Sequence, residues 1–397
     1  MIRFFLFLAV FLSLFEGHSH ILSDQAEITV ITIGPTQTEL YSAFGHSGFR
    51  VIDPKVEFDK FYNYGAFNFN QPNFYLNFTR GKLLYSLDVN DFILYQNLYI
   101  RENRSITEQY LNLSQTQKQA VFDFMQNNAK PENAAYYYNY CYDNCSTKMR
   151  DVLGTVLNDK ISYDFSYAKD DLSYRQLMDL YLQGQEWGDL GIDICLGKEI
   201  DNRAGGLGYM YLPDFVLAAF DKAVLEVDGT SKPLVKRTEV INKGSGNIGF
   251  EAPISPFVFF VIVFFIIGML THRSIKYGVR YKWLDIFLYG LTGILGLLLL
   301  ILWFGTDHLS AYNFNLIWAM PLNLVALTFM FKEKKSPLWK FYYLGYGLII
   351  MLNIMFRELM SQQLHLALVP LALGLAIRSF YLYFDMRRHE REDRFIL

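Results

Sequence analysis

From Ile254 onward the chain alternates apolar runs with short charged breaks, and no other feature constrains the fold as much. The runs lie at about 254–270, 283–304, 313–331, 341–356 and 364–384. Each approaches the ~20 residues that a helix needs to cross the hydrocarbon core of a bilayer. Five membrane-spanning helices are therefore expected.

The breaks carry a sign pattern. The first holds Arg273, Lys276, Arg280 and Lys282, and the third holds Lys332, Lys334, Lys335 and Lys340. The C-terminal tail holds Arg387, Arg388, Arg391 and Arg394, whereas 305–312 and 357–363 share only Arg357. Basic loops stay in the cytoplasm. The tail is thus expected inside and the segment before the first span outside. The start of the chain agrees: Arg3 precedes an apolar stretch, Phe4–Phe15, too short for a span, followed by the small residues Gly17 and Ser19. That is a signal-peptide pattern.

The expected organisation is a signal peptide (1–19), a periplasmic domain (24–230), a polar linker (231–252), a five-helix transmembrane domain (253–386) and a cytoplasmic tail (387–397). The expected setting is a bacterial inner membrane. A hydrophobic content of 52% against 19% charged residues fits a membrane protein. A net charge of -3 provides no basic surface for nucleic acid, and none is expected as a partner.

In the exported part, Ile28–Ile33 is β-branched and reads as a strand. Gly45–Asp53 reads as a second strand, with His46, Gly48 and Arg50 on one side. Phe58–Phe69 and Leu83–Val89 read as further strands. Ser114–Asn128 has helical periodicity, with Ser114 and Gln117 spaced as a capping box. A second helix starts near Asn144. The fold class expected is an α+β domain, an antiparallel sheet packed on a cysteine-bearing helix, followed by an all-α membrane domain.

That helix carries the candidate chemistry. From Cys145 the apolar residues Met149, Val152, Leu153, Val156 and Leu157 fall on one helical face. Cys145 therefore sits in the first turn, where free backbone N–H groups and the helix dipole favour thiolate. The same N–H groups are candidates to hold an oxyanion. His46 is the one histidine of the folded exported part and the candidate base. Orienting or oxyanion candidates are Tyr62, Asn63 and Tyr64 on the next strand and Asn144 at the helix start. Read individually, a cysteine on an apolar helix face is ordinarily a small buried hydrophobe, and a lone histidine is ordinarily structural. Cys141 can pair with Cys195, which leaves Cys145 free, or with Cys145, which silences it. No second histidine or C-x-x-C accompanies these residues, so neither metal nor cofactor is expected.

In the membrane part, His308, Asn313 and Asn315 fall at the expected outer face. They are candidates for lipid head-group contacts, with plain interfacial solvation and helix packing as the alternative. His308 is also a rival base, since it faces the same compartment.

The order Thr32-Ile33-Gly34, Phe44-Gly45-His46-Ser47-Gly48-Phe49-Arg50-Val51, Tyr62-Asn63-Tyr64-Gly65-Ala66-Phe67 and Tyr138-Asn139-Tyr140-Cys141-Tyr142-Asp143-Asn144-Cys145-Ser146-Thr147 resembles the Lnb N-terminal periplasmic domain family. With its membrane helices, the chain resembles Lnb-type lipoprotein N-acyltransferases across nearly its whole length. The layout is also similar to circularly permuted papain-like thiol enzymes of the NlpC type. The resemblance implies Cys145 as nucleophile and His46 as base. It implies acyl transfer from a membrane phospholipid, through a cysteine thioester, to the α-amino group of a diacylglyceryl-cysteine lipoprotein. The other readings are an NlpC-type cell-wall peptidase or amidase and a non-catalytic envelope binding or assembly protein.

Overall fold

The computed structural model describes residues 20–67, 70–227, 229–246, 252–330 and 338–396. The expected signal peptide and the basic residues Lys332, Lys334 and Lys335 lie outside these described residues.

The N-terminal domain contains strands β1 (Glu27–Ile33), β2 (His46–Asp53), β3 (Phe58–Ala66), β4 (Leu84–Asp91), β5 (Ile106–Leu111) and β6 (Ala135–Tyr137). Then come β7 (Ile161–Ser162), β8 (Val224–Val227), β9 (Thr230–Pro233) and β10 (Val235–Asn242). Its helices are α1 (Phe74–Thr79), α2 (Phe92–Arg101), α3 (Gln115–Asn128), α4 (Cys145–Val156), α5 (Tyr174–Tyr181), α6 (Glu186–Cys195), α7 (Gly205–Tyr209) and α8 (Pro213–Lys222). The main sheet is antiparallel throughout, in the order β10-β5-β1-β2-β3-β4-β6.

Strand alternation decides what each face buries. Phe49, Val51, Tyr62 and Tyr64 point to one face, where Val121, Phe122, Met149, Val152 and Phe220 from α3, α4 and α8 complete the core. Ile31, Ile33 and Phe61 point to the other, where α2 lays down Phe92 and Tyr99. Arg50 lies on this second face, with its guanidinium 4.0 Å above the Phe92 ring and paired to Glu108 at 3.0 Å. The expected capping box is present: Ser114 accepts from Gln117 N–H while the Gln117 side chain accepts from Ser114 N–H.

The linker expected over 231–252 is a correction. Thr230–Pro233 pairs with β8, and Val235–Asn242 is the edge strand of the main sheet, paired with β5. This edge strand is exposed from Lys236 to Val240 and keeps charged residues such as Lys236, Arg237 and Glu239, so its composition reads as linker.

The C-terminal region is helical: α9 (Pro256–Tyr277), α10 (Lys282–Gly305), α11 (Leu322–Met330), α12 (Leu338–Met355) and α13 (Val369–Ile396). Among the described residues, Pro256–Tyr277, Lys282–Gly305 and Leu366–His389 are long and apolar enough to cross a membrane, and Phe314–Met330 is a shorter apolar stretch. That third stretch is broken. It runs through the 3₁₀ turn Phe314–Ile317 and starts again after Pro321, which lacks the N–H a continuous helix requires. Asn323 is buried between helices, donating to Thr292 Oγ1 at 2.8 Å and to the Tyr346 hydroxyl at 3.0 Å.

The two regions are docked through the C-terminal end of α6. The last carbonyls of a helix have no partner within it. Here they are taken up from the helical region: Asn315 donates to Asp193 O, Asn313 to Ile194 O and Gln362 to Leu196 O, at 2.8, 2.8 and 2.9 Å. Just beyond, Gly197 N–H and Lys198 N–H donate to the carbonyls of Leu309 and Ala311. A Cβ on Gly197 would stand 1.9 Å from Ala311 O, so only glycine permits this approach.

Candidate thiol–imidazole site

His46 opens β2 directly after Gly45, whose φ of 81° is the left-handed conformation that glycine tolerates. The imidazole lies on the α2 face of the sheet, its centroid 6.5 Å from that of Tyr99. Its Nε2 is 2.6 Å from Asn63 Oδ1. An amide oxygen only accepts, so Nε2 carries the proton and Nδ1 is left for a second partner. Asn63 Nδ2 donates in turn to Tyr95 OH at 3.2 Å, and Tyr95 OH donates to Asp88. The ring orientation is thus fixed by a chain of side chains running down β3, α2 and β4.

Cys145 is the first residue of α4, as expected. Asn144 caps that helix. Its Oδ1 accepts from the N–H groups of Ser146 and Thr147, both at 2.9 Å, and Thr147 Oγ1 accepts from Asn144 N–H at 2.8 Å. The Asn144 Nδ2 donates to Tyr140 O and Tyr211 O, at 3.0 and 2.8 Å. Every polar atom of Asn144 is therefore engaged in holding the helix start. The Ser146 and Thr147 N–H groups, expected as oxyanion donors, are engaged by Asn144 as well.

The sulfur instead meets the end of the sheet. The Ser47 backbone N–H, the Ser146 hydroxyl at 3.8 Å and the imidazole of His46 are hydrogen-bond partners of Cys145. The Tyr138 hydroxyl is also within hydrogen-bond reach. Gly65, with φ 94°, sits where a Cβ would stand 3.8 Å from that of Cys145. Burial by itself would push the thiol up. The positive charge and hydrogen bond of His46, helped by Ser47 and Ser146, prevail and bring Cys145 down to about 7. For His46, burial pushes the pKa down, but the Cys145 charge, its hydrogen bond and Asn63 outweigh this and raise it. Both shifts favour the same state, thiolate beside imidazolium, which is the nucleophilic form of a cysteine.

Other expectations fall differently. Tyr62 and Tyr64 point to the opposite face of β3, where their hydroxyls accept from Gln126 Nε2 and Asn128 Nδ2 at 2.7 and 3.1 Å. Alternation along β3 puts residue 63 on the histidine side and 62 and 64 in the α3 core. Asn313 and Asn315 are buried in the docking interface and make no surface for head groups. His308 holds Phe78 O at 3.2 Å and belongs to a second docking point, not to the thiol site. All three cysteines are free thiols, so neither disulfide considered for Cys141 forms. Cys141 is buried, and burial raises its thiol well above the ordinary range. It lines a cavity of about 930 Å³ on the outer flank of α4, with Arg150, Tyr163 and Tyr174. Tyr138 and the Ser47 N–H were not anticipated. Their place depends on how β6 and α4 meet the sheet end, which no local pattern encodes.

Two family models match the chain. The model of the Lnb N-terminal periplasmic domain matches residues 22–179, which include His46, Asn63 and Cys145. The model of the Lnb transmembrane domain matches residues 247–390. Comparison with curated proteins and with solved structures gave no match.

Proposed function

The chain belongs to the Lnb family, an inner-membrane protein with a periplasmic N-terminal domain and a transmembrane domain, and on that premise we propose that it is a lipoprotein N-acyltransferase working through Cys145 and His46. The observation that carries this reading is the Cys145–His46–Asn63 constellation. The same trio of residue types serves papain-like proteases.

In the first step the Cys145 thiolate attacks the ester carbonyl of a membrane phospholipid. The C–S bond forms, the C–O bond to glycerol breaks, and the His46 imidazolium delivers a proton to the departing lysophospholipid oxygen. In the second step the α-amino group of a diacylglyceryl-cysteine lipoprotein attacks the thioester. His46, now neutral, takes the ammonium proton of the tetrahedral intermediate. The C–S bond breaks, and thiolate and imidazolium are restored. The Ser47 N–H and the Tyr138 hydroxyl beside the sulfur are the donors available to a developing oxyanion. Asn63 occupies Nε2 and so leaves Nδ1 of the ring for the sulfur.

The orientation read from the basic breaks belongs to the same proposal: five spans, with the tail in the cytoplasm. It is supported by the docking, since residues 307–315 and 362–365, from the two breaks poor in lysine and arginine and their flanks, bond to the N-terminal domain. A domain held against the membrane by so many contacts suits substrates that are lipids better than it suits wall polymers.

The test is intact-mass measurement of purified protein after incubation with phosphatidylethanolamine vesicles. An acyl adduct that disappears with Cys145→Ala is the expected result. Lipoprotein N-termini in cells carrying Cys145→Ala should lack the N-acyl chain; full N-acylation there would remove the proposal.

A further inference from the structure

Between β3 and β4 the chain leaves the sheet, forms α1 and returns. This excursion is unusually apolar for a periplasmic surface: Tyr75, Leu76 and Phe78 are 73%, 56% and 47% exposed. A contiguous exposed apolar patch marks an interaction site. Its position tells which. The carbonyl of Arg80 accepts from Asp307 N–H at 2.8 Å, and Phe78 O is bonded to His308 Nε2. A Cβ on Gly81 would stand 2.6 Å from His308 N, so the two backbones touch. Residues 307 and 308 directly follow α10, whose end carries Trp303 stacked on Phe304 at 4.8 Å and against Tyr312 at 5.1 Å. Aromatic side chains gather where a membrane meets water. The apolar side chains of α1 are therefore held at the level of the outer membrane surface.

From α1 an unbroken file of rings leads to the thiol. Phe78 is 5.9 Å from Phe74, Phe74 is 6.3 Å from Phe67, Phe67 is 5.3 Å from Tyr85, and Tyr85 is 4.6 Å from Tyr138. Tyr138 reaches the sulfur of Cys145. We propose that α1 lies in the interfacial layer of the outer leaflet and that this file of rings is the track along which the fatty chain of a bilayer lipid rests while its ester reaches Cys145. The inference rests on the acyltransferase reading and adds to it the route of the donor. A lipid ester lies below the membrane surface, and a track of apolar contacts lowers the cost of drawing it out.

The experiment compares two acyl donors with the full-length protein: palmitoyl phosphatidylethanolamine in mixed micelles and water-soluble p-nitrophenyl acetate. Adduct formation on Cys145 is followed by intact mass. In the variants Leu76→Ser with Phe78→Ser, and separately Tyr85→Ala, the ratio of the phospholipid rate to the acetate rate is expected to fall about tenfold or more. Acetylation also reports that each variant is folded. A ratio equal to that of the unaltered protein in both variants overturns the track. Absence of any adduct in the unaltered protein is a different outcome; it removes the acyltransferase reading and the track with it.

Discussion

Nε2 of His46 lies 2.6 Å from Oδ1 of Asn63, and this contact leaves Nδ1 as the ring nitrogen available to Cys145. The contact is set by the parity of β3 and reinforced by Tyr95 and Asp88 behind it. Removing Asn63 frees the ring without touching the thiol. Asn63→Ala is expected to slow thioester formation about a hundredfold, the scale of a misplaced catalytic group. Single-turnover acylation measures it. Asn63→Gln, too long for the same contact, should not restore the rate.

The depressed thiol of Cys145 depends on His46. With His46→Ala, burial, the largest influence, is opposed by the Ser47 and Ser146 hydrogen bonds without the charge of the imidazole. The sign is then upward, and the thiol titrates above its parent value of about 7. A return to the ordinary 9.0 lowers the thiolate fraction at neutral pH roughly fiftyfold. Iodoacetamide alkylation of Cys145 against pH reads this directly. An unchanged profile would show that the imidazole does not govern the sulfur.

Arg175 joins the docking end of the domain from inside, 2.6 Å from Asp193 and 2.8 Å from Asp201. All three are buried or nearly so, and burial pushes both carboxyls upward against the pull of the guanidinium. Arg175→Ala leaves two buried carboxylates uncompensated, a loss of about 3–5 kcal/mol. Thermal unfolding in detergent should register it, and faster proteolysis should appear around α6.

Asp179 provides a pH dependence. Burial, followed by Asp193 and Asp189, pushes it up to about 8 from an ordinary 3.8, with Arg175 opposing; His365 faces the same cluster, 3.4 Å from Asp189. A carboxyl whose pKa is higher folded than unfolded contributes most below its unfolded value, and its contribution is lost as pH rises through the folded one. Stability should therefore decline between about pH 4 and pH 8 from this group. Asp179→Asn is neutral throughout. Its melting temperature is expected to come nearest the parent's at or below about pH 4 and to exceed it increasingly up to about pH 8, by differential scanning fluorimetry.

Much of the site was legible in the sequence, and the reasons are local. Apolar residues four, seven, eight and eleven positions after Cys145 define the buried face of α4, so the helix start was visible. His46 was visible as the sole histidine near a strand start. The parity of β3 also separates Asn63 from Tyr62 and Tyr64, but which parity faces His46 depends on register with β2, where Phe49 lies opposite Tyr62. Asn313 and Asn315 misled because a polar residue at a membrane rim looks alike whether it meets head groups or caps another helix. The edge strand β10 was hidden for a related reason: its exposed run carries the same residues as a linker.

Gly197 has a consequence for substrate supply. Where backbone rests on backbone with no side chain between, there is no cushion to compress and little freedom to rock. In the proposed orientation, this close seam at Gly197 ties the height of Cys145 over the lipid sheet to the end of α6. In the proposed reaction the enzyme does not go looking for its reactants. Donor and acceptor, both confined to two dimensions, drift sideways until they pass beneath a fixed sulfur.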